Sequence, residues 1–341
     1  MNNQPTYLTL IQSLLTCPSD EEITILQANL ELIDDNFAQY LREWATQTLA
    51  EMEFSQAKKI TINIVNFSNL IQQFPLGSKS SNMEIAIAGY EVGLQIFKRD
   101  TYAEFWATIQ NNLAIAYSDR IREDKAENIE KAIACYDLAL EVYTRAAFPQ
   151  DWAMTQHNLA TAYSDRIRED KAENIEKAIA CYELALEVYT RADFPQYWAA
   201  TQNNLATAYS DRIREDKAEN IEKAIACYEL ALEVYTRAAS PQDWAMTQNN
   251  LATAYSDRIR EDKAENIEKA IACYELALEV RTRAASPQQW AMTQNNLAIA
   301  YSDRIREDKA ENIEKAIACY ELALEVRTRA ASPQQWAMTQ N

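Results

Sequence analysis

Asparagine is the residue type whose placement in this chain most invites a chemical reading. Asn112, Asn158, Asn204, Asn250 and Asn296 recur at one fixed spacing of 46 residues. An asparagine amide offers two N–H donors and a carbonyl acceptor, so a row of them can hold the backbone of an extended peptide without reading its side chains. Five such contacts at about 1 kcal/mol each give roughly 5 kcal/mol, short of the ~8 kcal/mol of micromolar binding. Further along the same helical face come Asp119, Asp165, Asp211, Asp257 and Asp303. A row of carboxylates favours a ligand of basic character. On the opposite reading, Arg120 and its equivalents follow immediately, neutralise the row, and leave a solvated face.

Other chemistry has little to work with. His157 is the only histidine, the three glycines (Gly77, Gly89, Gly93) form no phosphate loop, and no serine or cysteine has an evident base beside it. The chain is read as non-catalytic, without cofactor or metal. Five of its six cysteines (Cys135, Cys181, Cys227, Cys273, Cys319) share the same 46-residue period within an apolar segment. Metal sites cluster their ligands more closely, so these cysteines are expected to be small packing residues; Cys17 gives no signal. A net charge of −18 with no lysine or arginine cluster opposes a phosphate backbone. No apolar run approaches a membrane span, and TYLTLIQSLLTC near the start lacks a basic flank and cleavage site. The expectation is a soluble cytoplasmic protein that binds neither nucleic acid nor membrane.

The elements that position these rows follow from repetition. YSDRIREDKAENIEKAIACY, residues 117–136, recurs unchanged four more times. Counted from Trp106, Trp152, Trp198, Trp244 and Trp290, five near-identical units occupy 106–335, and a sixth begins at Trp336 in 336–341. Residues 60–105 align without gaps as a degenerate copy, SNMEIAIAGYEVGLQIF matching ENIEKAIACYELALEVY. Within a unit, helix A starts at the proline of FPQDW or SPQDW, where the missing N–H costs nothing, and its inward side is Trp152, Gln156, Leu159, Ala160 and Tyr163. After the link REDKAEN, with Asp170 or Asn174 as cap, helix B buries Ile175, Ala178, Ile179, Tyr182, Ala185 and Leu186. Hairpins with one apolar face each must stack, so the expected fold is all-α, a right-handed α-solenoid. Residues 1–59 are helical but outside the period. A capping box at Ser19 and Glu22 and an amphipathic stretch after Asp34 and Asp35 suggest a helical cap over the first stacking face.

L-A-x-x-Y in helix A (Leu159, Ala160, Tyr163) and A-x-x-x-Y-x-x-A in helix B (Ala178, Tyr182, Ala185) resemble the tetratricopeptide repeat signature. The units are longer than the family's usual form at both ends of the hairpin, which is similar to the repeats of kinesin light chains and of large bacterial signalling proteins. The resemblance covers 60–341. It implies a protein-interaction module in which one stripe of helix A lines a concave peptide groove, and asparagine ladders are found in such proteins.

The few positions of helix A at which the copies differ are Thr108/Met154/Ala200/Met246/Met292, Ile109/Thr155/Thr201/Thr247/Thr293, Asn111/His157/Asn203/Asn249/Asn295 and Ile115/Thr161/Thr207/Thr253/Ile299. The first, third and fourth sets lie along such a stripe, at i, i+3 and i+7. The Trp152–Gln156–Leu159–Tyr163 side faces inward, so this stripe is expected to meet solvent or ligand, with Met154, His157 and Met246 adding selectivity and Asp165, Asp211 and Asp257 extending it. Two competing readings are drift at tolerant exposed sites and a structural role for Asn112 and its copies in tying helix A to the preceding unit. A separate gradient runs from Tyr143, Tyr189 and Tyr235 to Arg281 and Arg327, in step with Phe148 and Phe194 giving way to Ser240, Ser286 and Ser332.

The expected function is binding of an extended protein segment. The alternative is a structural spacer, or a homodimer formed end to end through the last unit's stacking face. The chain is expected to continue past Asn341, where similar arrays carry a caspase-like peptidase or a nucleotide-dependent switch domain. Replacing Asn158 and Asn204 together by alanine is expected to weaken partner binding about tenfold or more, the loss of two hydrogen bonds, at unchanged helical content by circular dichroism.

Overall fold

The computed structural model describes residues 4–18, 21–330 and 332–340. Its described residues are helical, without strands, and divide into two compact units, Met1–Asn174 and Ile175–Asn341. No helix among them is long and apolar enough to cross a membrane.

The first unit opens with α1 (Gln4–Thr16), α2 (Glu22–Ala28), a 3-10 turn (Leu30–Leu32) and α3 (Asp35–Ala50). Ser19 lies outside the described residues. Asp34 caps α3 by accepting from the Phe37 N–H and also accepts from the Tyr7 hydroxyl. The hairpins α4 (Phe54–Gln73) with α5 (Lys79–Ile96) and α6 (Arg99–Ser118) with α7 (Lys125–Leu140) follow, then α8 (Pro149–Asp165). The core gathers Leu26, Phe37 and Leu41 from the first helices with Ile71, Ile85 and Tyr90 of the first hairpin. Helices α4 and α5 approach so closely that a Cβ on Gly89 would stand 1.9 Å from the Ser68 hydroxyl; this position is cysteine in the later copies.

Helix α9 (Lys171–Leu186) contains the junction. The second unit then stacks α10 (Pro195–Asp211), α11 (Lys217–Leu232), α12 (Pro241–Asp257), α13 (Lys263–Leu278), α14 (Pro287–Asp303), α15 (Lys309–Leu324) and α16 (Pro333–Gln340). Each of these helices packs on the next, so the architecture is an α-solenoid of antiparallel hairpins. Coverage of helix B comes from the following helix A. Ile225 of α11 is 5% exposed beneath α12, whereas its equivalent on α15, Ile317, is 51% exposed.

The turn between helices A and B is built from REDKAEN. Aspartate is the cap: Asp124, Asp216 and Asp262 accept from the N–H three residues on, at 2.8 Å. Asn128 and its copies are buried in the first turn of helix B and donate back to the Arg122-type carbonyl of the link. Glu123, Glu215, Glu261 and Glu307 adopt positive φ of 63–68°, a left-handed conformation that costs a non-glycine residue about 1 kcal/mol or more.

The arginine that ends helix A holds this strained glutamate. Arg258 gives Nη1 to Glu261, and Nε and Nη2 side-on to Glu222 of the preceding helix B at 2.7 and 2.5 Å. Arg120 with Glu84 and Glu123, and Arg212 with Glu176 and Glu215, repeat the arrangement. The bidentate hydrogen bond holds the Glu222 carboxyl below its usual range, so this stabilisation is present at neutral pH and is lost as pH falls through the lowered carboxylate pKa. Arg258→Lys keeps the charge and loses the fork, and is expected to destabilise by about 1–2 kcal/mol in urea unfolding; an unchanged midpoint would refute a structural role for the clamp.

Candidate functional site

Helix A carries every candidate residue, and its neighbours decide which of them remain available. In the first unit the Thr155 hydroxyl meets Asn111 Oδ1 at 3.1 Å, Asn111 donates to Asn112 Oδ1 at 3.3 Å, and Asn112 donates to Asn69 Oδ1 at 2.9 Å. Tyr90 also donates to Asn69, at 2.8 Å. The second unit repeats the pattern, with Thr247 on Asn203 and Asn203 on Asn204, Thr293 on Asn249 and Asn249 on Asn250, and Thr339 on Asn295.

This network corrects one expectation. Asn111, Asn203 and Asn249 are buried and Asn295 is half-buried. The three buried ones do not line a surface, because their carbonyls are taken by the threonine of the next helix A and their amides by the following asparagine; at Asn295 the carbonyl alone is taken, by Thr339. Copies can differ here, as at His157, only within what that contact accepts. Asn112, Asn158, Asn204, Asn250 and Asn296 are half-buried, and Asn112, Asn204 and Asn250 each accept one bond from their neighbour. Part of each amide is therefore already committed within the fold.

The rest of the stripe is more open. Met154, Ala200, Met246 and Met292 are half-buried; Thr161, Thr207 and Thr253 are exposed, and the hydroxyls of Thr207 and Thr253 meet Tyr228 and Tyr274 at 2.9 Å. Asp165, Asp211 and Asp257 are exposed. The adjacent arginine does not neutralise this row, since Arg120, Arg212 and Arg258 turn to the glutamates of the clamp. Lys125 stands 3.9 Å from Asp165. The periodic cysteines are half-buried or, at Cys319, buried, and burial pushes the Cys135 thiol up to about 12, far from a reactive thiolate.

The first unit holds a cleft of about 520 Å³, lined by Asn66, Asn69, Leu70, Gln73, Phe74 and Pro75 together with Ile23 and Gln27 of α2. By the 46-residue period Asn66, Asn69 and Gln73 are the counterparts of Asn112, Ile115 and Asp119. The cleft thus lies on the face of helix A that carries the asparagine and aspartate rows, with one of the positions at which the copies vary between them. A second cleft of about 340 Å³ shares Gln73, Phe74 and Pro75 and reaches Lys79 and Asp119. Sequence reading named Asp119 and missed Asn66, Asn69 and Gln73, although the gapless alignment pairs Asn66 with Asn112. Nothing in the sequence marked Ile23 or Gln27, which α2 brings in from outside the period.

Stacked A–B hairpins joined by these contacts define a helical-repeat protein. The tetratricopeptide repeat pattern matches residues 106–145, 152–196, 198–239, 244–284 and 290–330, and the chain belongs to that family. No curated protein matches it. The crystal structure of BtubC (BKLC) from P. vanneervenii is similar to it at 23% identity and a TM-score of 0.52, covering 72% of this chain and 91% of that one. The P58(IPK) TPR domain aligns over 99% of this chain and 97% of its own length at 15% identity and a TM-score of 0.29. Repeats of this family generally mediate protein–protein interaction.

His157 occupies the position of the buried asparagines, and burial lowers its imidazole from 6.5 to about 4. The unfolded chain takes up a proton between those values that the folded chain refuses, so stability falls as pH drops through this window and is unaffected above it. His157→Asn restores the residue of the other units. The variant is expected to lose about 2–3 kcal/mol less than the parent between pH 7 and pH 4, measured by urea unfolding at each pH; parallel profiles would refute this.

Proposed function

We propose that the chain is a non-catalytic interaction module that holds an extended segment of a partner protein along the helix A stripe, anchored in the cleft of the first unit. The observation that carries this reading is the composition of that cleft. Ile23, Leu70, Phe74 and Pro75 provide apolar surface, and four amides, Gln27, Asn66, Asn69 and Gln73, surround it. Its volume lies in the range of ligand sites, which are mostly apolar with a few placed polar groups.

An extended peptide matches both parts. Its main chain pairs with amides whatever its sequence, and one large apolar side chain enters the cleft. Burial of such a side chain is worth about 1.5–3 kcal/mol. Added to a few amide bonds of about 1 kcal/mol each, this approaches the ~8 kcal/mol of micromolar affinity. Within the first unit the exposed Asp119 and Asp165 extend the stripe and favour basic residues elsewhere in the segment. A second reading, self-association, draws on the exposed Ile313 and Ile317 of α15; it predicts a concentration-dependent dimer in sedimentation that Ile317→Asp abolishes.

An array of short synthetic peptides probed with the whole chain tests the leading reading. Captured peptides are expected to share a large apolar residue, and Leu70→Asp is expected to weaken capture at least tenfold, about 1.4 kcal/mol or more, without changing the far-ultraviolet circular dichroism. Capture of the same peptides at the same strength by Leu70→Asp would sink the cleft as the anchor.

A further inference from the structure

One corner of the hairpin changes character along the chain. It lies where the end of helix B meets the start of the next helix A, and three positions build it. In the first unit they are Tyr143, Phe148 and Asp151, with the two rings edge to face at 5.6 Å. At Tyr189, Phe194 and Tyr197 the rings also pack, Tyr189 lying 5.7 Å from Phe194 and stacked 5.1 Å from Tyr197. At Tyr235, Ser240 and Asp243 one ring is gone. At the next two corners the set becomes Arg281, Ser286, Gln289 and then Arg327, Ser332, Gln335.

These substitutions bury a cation and leave a neutral glutamine where two of the tyrosine corners carry an aspartate. Arg281 is 4% exposed, and its Nη1 donates to the Thr293 hydroxyl at 3.0 Å; Arg327 repeats this on Thr339 at 3.1 Å. Among the described residues no carboxylate pairs with either. The contrast with Arg120, Arg212 and Arg258, each held by two glutamates, is complete. The Ser286 hydroxyl and Arg327 Nε are buried without a hydrogen-bond partner. Burial first, and the charge of Asp151 and Asp243 in smaller part, hold the Tyr143 and Tyr235 phenols up, so the third position of the corner lies within electrostatic reach of the first. In the arginine corners that position is the neutral, exposed Gln289 or Gln335.

A buried guanidinium with one neutral partner has unspent donors in a planar fork, the geometry that matches a carboxylate. Burial without a counter-ion is unfavourable unless something supplies the charge. The repeat itself accommodates a carboxylate here, because two of the tyrosine corners place Asp151 or Asp243 at this spot. We propose that the corner of Arg281, Ser286 and Gln289, with its copy at Arg327, Ser332 and Gln335, binds a carboxylate of a partner polypeptide. Arg281 forms the ion pair, Ser286 and Gln289 donate to the same group, and the two corners lie one repeat apart. The site belongs to the second unit and stands independently of the cleft in the first.

Calorimetric titration of the whole chain at low salt tests this with three probes: a glutamate-rich peptide amidated at its C-terminus, its glutamine counterpart, and a neutral peptide whose only carboxylate is its free C-terminus. Binding of the first assigns the carboxylate to a side chain and binding of the third to a chain end; the glutamine peptide is expected not to bind. Arg281→Tyr with Arg327→Tyr installs the residue of the other units, and is expected to weaken binding about tenfold or more. Gln289→Asp with Gln335→Asp supplies the missing charge from within. It is expected to raise the thermal midpoint and to abolish carboxylate binding. Failure of both carboxylate peptides to bind, binding of inorganic phosphate alone, equal affinity in the tyrosine variant, or an unchanged midpoint in the aspartate variant would each overturn the proposal.

Discussion

A hairpin of this sequence has more apolar surface than it can bury by itself. Ile225 and Ile317 are the same residue in the same local sequence, yet one is covered and the other half open, and the difference is the extent of the helix A that follows, 17 residues in α12 and 8 in α16. Burial of a leucine- or isoleucine-sized side chain is worth about 1.5–3 kcal/mol, and several such residues per hairpin depend on the neighbour. Stacking is therefore a condition of folding for every unit, and the stack requires each helix A to arrive in one register.

Polar contacts supply that register. The arginine at the end of helix A forks onto a glutamate of the preceding helix B and also holds the left-handed glutamate of its own turn. Along the helix, threonine meets the buried asparagine of the preceding helix A. These bonds are directional where apolar packing is not, so a slip by one turn would leave a half-buried carboxylate and a buried amide unpaired. The same contacts withdraw residues from function. Asn203 and Asn249 look like ligand donors in the sequence and are spent on the scaffold, as are the arginines that would have neutralised the aspartate row. What remains open is a narrower stripe than helical periodicity suggests, and it opens into a cleft where α2 stands beside α4. Where the scaffold's own pairing is broken, at Arg281 and Arg327, the polar groups left over become the more informative ones.

Much of the fold was legible in the residues. The period, the two helices, the proline start of helix A and the need to stack all follow from patterns that act within a few residues or repeat at a fixed interval. The turn was read only in part: either Asp170 or Asn174 could cap, and the backbone shows the aspartate accepting from an N–H while the asparagine folds back to a carbonyl. For the candidate site, periodicity picked out one face of helix A but could not separate Asn111 from Asn112. The two adjoin in sequence and differ by a rotation of about 100°, so which of them points at the neighbouring helix depends on where that helix lies.

The sequence alone thus determined the all-helical hairpin repeat and the stripe along which its copies vary, because hydrophobic period and local capping are properties of the chain itself. Only the tertiary structure decided which polar side chains on that stripe are free, where a cleft exists, and that Arg281 is buried without a carboxylate. Each of these depends on the distance between residues far apart in the chain. Hydrogen bonding and desolvation act over a few ångströms of space, whatever the separation in sequence.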